Sequence, residues 1–243
     1  MIGTFHQPIE ILRDSINKPD RLNRFSKIIL MCDAQRQFFL DAGVAKDKIH
    51  VVYHGVDTEF FQPCPSPQPD KPFRVIFVGN YLRDFDCLVK VCHQLRNESD
   101  IEIHIVSNPH HREKFSSLNN VTYLSGLSFP ELLDEYQNSA CLLMTVQAAT
   151  ANNAIIEGLA CGLPIVSQRI GGIPEYVNND CAILCDPEDV DGLVNGILTL
   201  RDNPEKRKTM GLAARKQALS LDWKIIAKKT EAVYAQAADQ KLK

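Results

Sequence analysis

Short apolar runs alternate with longer segments of helical period along most of this chain. Strand patterns fall at Arg74 to Val78, Ile101 to Val106, Val121 to Leu124, Cys141 to Thr145, Pro164 to Ser167 and Cys181 to Leu184, with helical patterns between most of them. Helix starts are marked by a capping box at Ser128-Phe129-Pro130-Glu131 and by an N-cap ahead of an N1 proline at Asp186-Pro187 and again at Asn203-Pro204. Short apolar strands separated by helices predict an α/β fold with a parallel sheet covered on both faces, which binds ligands at the carboxyl ends of its strands. Upstream, the pattern predicts a helix near Pro19 to Phe25, a strand at Lys27 to Met31, a helix capped by Asp33 and ending at Gly43, and a strand at Ile49 to Tyr53. That βαβ fragment is too small to close a core by itself.

Composition divides the chain further. Five prolines in the ten residues from Pro63 to Pro72 predict an extended connector between the upstream fragment and the longer downstream part. The chain has 243 residues and is 44% apolar, ample for a buried core. Its net charge of -3 excludes a strongly basic nucleic-acid binder on global grounds. That total conceals an asymmetry: residues 201–243 carry 11 Lys plus Arg against 5 Asp plus Glu. Two readings of this basic tail stand, a solvated face on terminal helices or a contact with anionic lipid or a phosphorylated acceptor. No long apolar segment or leader pattern is present, so the expected location is cytoplasmic, at most peripheral at the membrane. The eight cysteines contain no CxxC pair, which points to buried small apolar residues in a reducing compartment and to no metal site.

The segment Thr150 to Val166 carries the most chemistry. A strand ends near Thr145, a loop of small and polar residues follows, and a helix begins near Asn153 and stops at Gly162. Asn152 and Asn153 can cap that helix, leaving free N–H groups at the carboxyl edge of the sheet, a setting suited to phosphate. Glu157, one turn inside, is either a helix-surface carboxylate or an acceptor for vicinal hydroxyls. Gly171 and Gly172 after the next strand either form a plain turn or permit close approach of a ligand.

Glu157 to Val166, followed by Gly171-Gly172-Ile173-Pro174-Glu175-Tyr176-Val177, resembles the donor-binding domain of family 4 (group 1) glycosyltransferases of the GT-B fold. His54-Gly55-Val56-Asp57, Phe77-Val78-Gly79 and Asp222-Trp223-Lys224 match the same family, in the family's order. The resemblance implies one complete Rossmann-like parallel-sheet domain plus a partial N-terminal one. It also implies a nucleoside-diphosphate sugar donor, transfer with retention of anomeric configuration, and no metal or other cofactor. It places donor contacts at Gly79, Arg83, Thr150, Asn152, Asn153, Glu157, Gly171 and Gly172, and sets His6 toward the donor sugar as a catalytic residue.

Several positions depart from the family pattern, among them Asn152 and Asn153, which replace a glycine and an apolar residue of the family loop. Asn80 stands where an arginine is expected, and Ala149 stands where the first of two glutamates belongs; Arg83 matches the family lysine after a shortened loop. The resulting division is a partial acceptor-side domain at 1–62, a connector at 63–72, a nucleotide-sugar-binding domain at 73–215 and a terminal helix region at 216–243 that packs back toward the N-terminal part. Strands that the family places before His6 are missing, so the expectation is a transferase shortened at its front. The alternative is a module that binds nucleotide sugar without turnover, or a fragment of a larger transferase. An isomerase on the same fold is less favoured, because the motifs point to transfer.

Overall fold

The computed structural model of the chain describes residues 1–65 and 72–239. Most of the expected proline connector therefore lies outside the described residues. Two parallel sheets organise the rest. The first has the order β1-β2-β3, from β1 (Ile2–Phe5), β2 (Lys27–Leu30) and β3 (Ile49–Val51). Helix α1 (Ile9–Ser15) joins β1 to β2, and α2 (Arg36–Asp41) joins β2 to β3.

Neither β1 nor α1 is among the elements expected from the pattern. The strand is only Ile-Gly-Thr-Phe and is half exposed, so it lacks a period of its own; pairing of Ile2 with Lys27 through Phe5 with Leu30 sets its register. Pro19–Arg24, expected as a helix, forms a tight 3-10 helix. The expected Asp33 cap is also corrected. Cys32 occupies the N-cap position, and Gln35 Oε1 accepts from the N–H groups of Met31 at 2.8 Å and Cys32 at 3.2 Å. The next two amides, of Asp33 and Ala34, donate to the Glu175 carboxylate at 2.6 and 2.9 Å. An acid remote in sequence thus satisfies the orphan donors of this helix start, which no local pattern can reveal.

The second sheet has the order β6-β5-β4-β7-β8-β9. Its strands are β4 (Phe73–Val78), β5 (Ile101–Val106), β6 (Val121–Leu124), β7 (Cys141–Met144), β8 (Ile165–Gln168) and β9 (Ala182–Cys185), each within a residue of its expected bounds. Around it lie α3 (Phe85–Gln94), α4 (Phe129–Gln137), α5 (Asn153–Ala160), α6 (Ile173–Tyr176), α7 (Val190–Asp202) and α8 (Pro204–Leu219), while α9 (Trp223–Asp239) reaches back to β2 of the first sheet. The capping box of α4 forms as read, with Ser128 N donating to Glu131 Oε2 at 2.7 Å. Asn203 and Pro204 open α8. The start of α7 is corrected by one turn. Glu188 takes φ 70°, incompatible with a right-handed helix, and Asp189 becomes the N-cap by accepting from Gly192 N at 2.8 Å.

Strand β2 shows how the two parts share one interior. Ile28 and Leu30 face a small cluster with Leu12, Leu22, Phe38 and Phe39, whereas Ile29 joins the large core that runs through the second sheet. Seven of the eight cysteines are buried and all are free thiols. The segment after β3 is tied to the α8–α9 junction: Val56 N donates to Leu221 O at 3.0 Å, and Trp223 N to Val56 O at 3.1 Å. Arg215 adds bonds to the carbonyls of Thr58, Phe61 and Ala160 at 2.7 to 2.9 Å. The expected division at residue 215 falls within α8.

Strand order reverses between β4 and β7, so the loops leaving their carboxyl ends part and open a crevice between them. The carboxyl end of β1 reaches the same crevice. Among the described residues, no helix is long and apolar enough to cross a membrane.

Candidate functional site

Beyond β4 the chain turns through Gly79, at φ 110°, into Asn80-Tyr81-Leu82-Arg83. The Arg83 side chain folds back over that turn, so a Cβ at Gly79 would lie 2.5 Å from Nη2. Nε of Arg83 donates to Val78 O at 3.0 Å, Nη1 to Tyr81 O at 3.2 Å and Nη2 to Asn152 Oδ1 at 3.2 Å. A guanidinium has five N–H groups, so this one is fixed in place with two still to offer. Burial lowers its pKa to about 10, and the nearby Tyr136 and Glu157 act in the opposite direction. Arg83 therefore stays cationic at neutral pH.

The opposite wall is the loop after β7 and the start of α5. Asn152 is the N-cap, and its Oδ1 accepts from Ile155 N at 3.3 Å as well as from Arg83. Its Nδ2 is buried with no hydrogen-bond partner among the described residues. The first amides of α5, at Asn153 and Ala154, lie ahead of any intrahelical acceptor and carry the positive end of the helix dipole.

One bond ties the end of β1 to this loop, and two more tie it to the segment after β2. Thr150 Oγ1 donates to His6 O at 2.6 Å, and Gln35 Nε2 donates to Phe5 O at 2.9 Å and Gln7 O at 2.8 Å. The backbone around His6 is thereby held on both sides while its ring stays exposed. Tyr81 crosses the mouth, donating to Gln7 Oε1 at 2.8 Å.

These segments enclose a cavity of about 370 Å³, lined by residues 6–8, 80–83 and 148–153 and by His54. His6, Arg83, Thr150, Asn152 and Asn153 from the expected set come together on its wall, as do Asn80 and Ala149. Gly79 lies beneath Arg83. Gly171 and Gly172 stand behind the loop, where Gly172 N donates to Ala149 O at 3.0 Å. Glu157 sits one turn along α5, outside the lining, and accepts from Tyr136 Oη at 2.9 Å. No Asp or Glu lines the cavity, and Arg83 is the one arginine or lysine among its lining residues. Among the described residues, no three His, Cys, Asp or Glu side chains converge as a metal site.

Sequence reasoning missed the lining roles of His54, Tyr81 and Gln7 and the contact of Tyr136 with Glu157. His54 was visible within a motif, but nothing in the sequence connects residue 136 to residue 157.

Burial raises the Glu157 pKa above its ordinary value of 4.5, with the Tyr136 hydroxyl and Arg83 pulling it down in part. A raised carboxylate pKa means that the folded state holds the proton more tightly than the unfolded state, so stability falls as pH rises through the window between the two values. Glu157→Gln is expected to raise the melting temperature of the ligand-free protein at pH 7, and the gain should vanish near pH 4. A gain that is the same at both pH values would contradict this account.

Known proteins share the sequence pattern and the fold of this chain. The sequence pattern of a family described as "Glycosyl transferases group 1" matches residues 72–203, more than half of the chain. The chain belongs to the group 1 glycosyltransferases. Among curated members, an MMP alpha-(1->4)-mannosyltransferase of Mycolicibacterium hassiacum is 30% identical over 214 residues, covering 81% of this chain and 50% of the relative. The sulfoquinovosyl transferase SQD2 of Arabidopsis thaliana is 26% identical over 199 residues, covering 74% of this chain and 38% of the relative. This group 1 chain thus spans about half the length, or less, of these curated relatives. In fold it is similar to sucrose-phosphate synthase of Thermosynechococcus elongatus (TM-score 0.83, 17% identity, covering 98% of this chain and 68% of that one). It is also similar to HepE of Anabaena in complex with UDP (TM-score 0.83, 18% identity, 97% and 72%). The fold is the GT-B type, with a six-stranded parallel-sheet Rossmann-like unit beside a three-stranded parallel sheet.

Proposed function

We propose that this chain binds a nucleoside-diphosphate sugar in the crevice between β4 and β7 and takes part in transferring the sugar to an acceptor with retention of configuration. The observation that carries the reading is Arg83, fixed by three protein acceptors with two N–H groups left over, beside the free amides that open α5. A departing diphosphate needs positive potential that is already in place, and a guanidinium beside a helix N-terminus supplies it without a metal ion. Gly79, Thr150, Asn152 and Asn153 shape this contact, with Gly171 and Gly172 supporting the loop. Glu157 receives hydroxyls of the nucleoside, and His6 faces the sugar as the catalytic residue.

In this reading residues 73–215 form the nucleotide-sugar unit, 1–62 the acceptor-side piece and 216–243 the region that ties them. The acceptor is a glycan, a lipid-linked group or a small molecule. Large exposed apolar side chains concentrate on α8 and α9, at Leu212, Leu219, Trp223, Ile225 and Tyr234, among the lysines of the basic tail. Peripheral contact with an anionic membrane fits that mixture.

Titration calorimetry with UDP, GDP, ADP and their hexose derivatives tests the donor reading; absence of binding by all of them would remove it. A second reading, binding without transfer, draws on Ala149 and Asn80, which bring no charge to the cavity wall. Binding without release of sugar across a panel of acceptors would favour it.

A further inference from the structure

His6 is not the only imidazole on the cavity wall. His54, which follows β3, lines the same space, with ring centroids 6.1 Å apart. Its Nδ1 lies 2.9 Å from Gly55 O. A carbonyl only accepts, so Nδ1 carries the proton and the neutral ring presents a lone pair on Nε2. No protein group among the described residues bonds to that Nε2.

The ring is held on several sides. His54 N donates to Tyr176 Oη at 2.9 Å, and Tyr176 donates onward to Met31 O at 2.6 Å. The Trp223 indole meets the imidazole edge-on at 4.9 Å. It reaches that position because residue 55 is glycine, where a Cβ would lie 2.5 Å from Trp223 Cε3. Titratable neighbours are His6, from the end of β1, and Tyr176, from α6; no carboxylate lines the cavity. Burial first, and then the charge His6 can carry, lower the His54 pKa, while the Gly55 carbonyl opposes them, so the ring is neutral at pH 7.

Two other side-chain acceptors on the wall are engaged, whereas Asn80, Asn153 and His6 stand exposed to solvent. Gln7 Oε1 takes the Tyr81 hydroxyl, and Asn152 Oδ1 takes both Ile155 N and Arg83. A sugar hydroxyl has a proton to place, and the lone pair on His54 is an acceptor held there by packing. We propose that His54 accepts a hydrogen bond from a hydroxyl of the donor's sugar, and so sets a nucleoside-diphosphate sugar apart from the bare nucleoside diphosphate. This inference rests on the donor-site reading above.

The test is calorimetry on the full chain with three pairs: UDP and UDP-glucose, GDP and GDP-mannose, ADP and ADP-glucose. For the pair that binds, His54→Phe should weaken the sugar nucleotide about three- to tenfold, as expected for one lost hydrogen bond, and leave the diphosphate unchanged. His54→Gln, which restores an amide acceptor at similar reach, should recover most of the loss. A readout on the unmodified chain is the NMR titration of the His54 ring. The ring's pKa should be lower with the sugar nucleotide bound than with the diphosphate bound, because protonation competes with the new bond. Equal effects of both ligands on the ring, or an unchanged affinity ratio in His54→Phe, would overturn the proposal while leaving the donor site standing. Failure of the wild-type chain to bind any of the six would overturn the donor-site reading itself and this inference with it.

Discussion

Replacing Arg83 with alanine is expected to weaken binding of a nucleoside diphosphate by about 100-fold and leave a nucleoside nearly unaffected. The side chain has two N–H groups free after its bonds to Val78 O, Tyr81 O and Asn152 Oδ1. Each charge-assisted bond to a phosphate oxygen contributes roughly 1.5–3 kcal/mol. Part of the sum is offset by desolvating the phosphates, and a net loss of about 3 kcal/mol corresponds to two decades in affinity. Arg83→Lys should rescue little, because an ammonium cannot hold the three protein acceptors and the phosphate together in one plane. Because the guanidinium stays charged, diphosphate affinity of the wild-type chain should be level around neutrality. Calorimetry comparing the diphosphate with the nucleoside decides the matter: equal losses for both would mean that Arg83 only braces the loop. Thermal unfolding of the variant separates the two effects, since the three internal bonds are lost as well.

The second large effect is expected at Gly171. Its φ is 55°, and a Cβ there would lie 2.1 Å from Ala149 O. The clash is with a backbone carbonyl, so no side-chain rotation relieves it. Gly171→Ala should destabilise the fold by about 3 kcal/mol, combining a residue forced into left-handed backbone with overpacking. For a chain of this size that is a drop in melting temperature of roughly 10 °C. Gly126→Ala is the internal control. Gly126 has φ 72° with nothing within 4 Å of the added Cβ, so it isolates the conformational cost, about 1 kcal/mol. If the two variants lose the same stability, contact with the 149–150 loop is not what holds Gly171. Because that loop also carries Thr150 and Asn152, Gly171→Ala should weaken donor binding beyond its effect on stability.

The six strands of the large sheet were legible because each is a short, apolar-rich run, wholly buried in β7 and β8, a signal that needs no partner to be seen. The cap of α4 was legible for a similar reason: Ser128 and Glu131 satisfy each other within one turn. Strand β1 was not, since a four-residue edge segment containing glycine and threonine becomes a strand only when β2 supplies its hydrogen bonds. The start of the helical segment after β2 was misread because its donors are met by Glu175, more than 140 residues away. At the site, Arg83 and Asn152 were each visible as candidate residues, but their mutual bond was not. Glu157 was visible too, and its turn toward Tyr136 followed from packing between α4 and α5.

By itself, then, the sequence determined the layered parallel sheet, the capping box of α4, the Asn203-Pro204 start of α8 and Asn152 at the N-terminus of α5. These follow from local period and local hydrogen-bond supply. Only the tertiary structure decided which of those residues share a cavity, how many N–H groups Arg83 has left, and that His54 stands beside His6 with its lone pair uncommitted. The physical reason is that a donor's availability depends on which acceptors have already reached it, and at this crevice those acceptors come from segments remote in sequence.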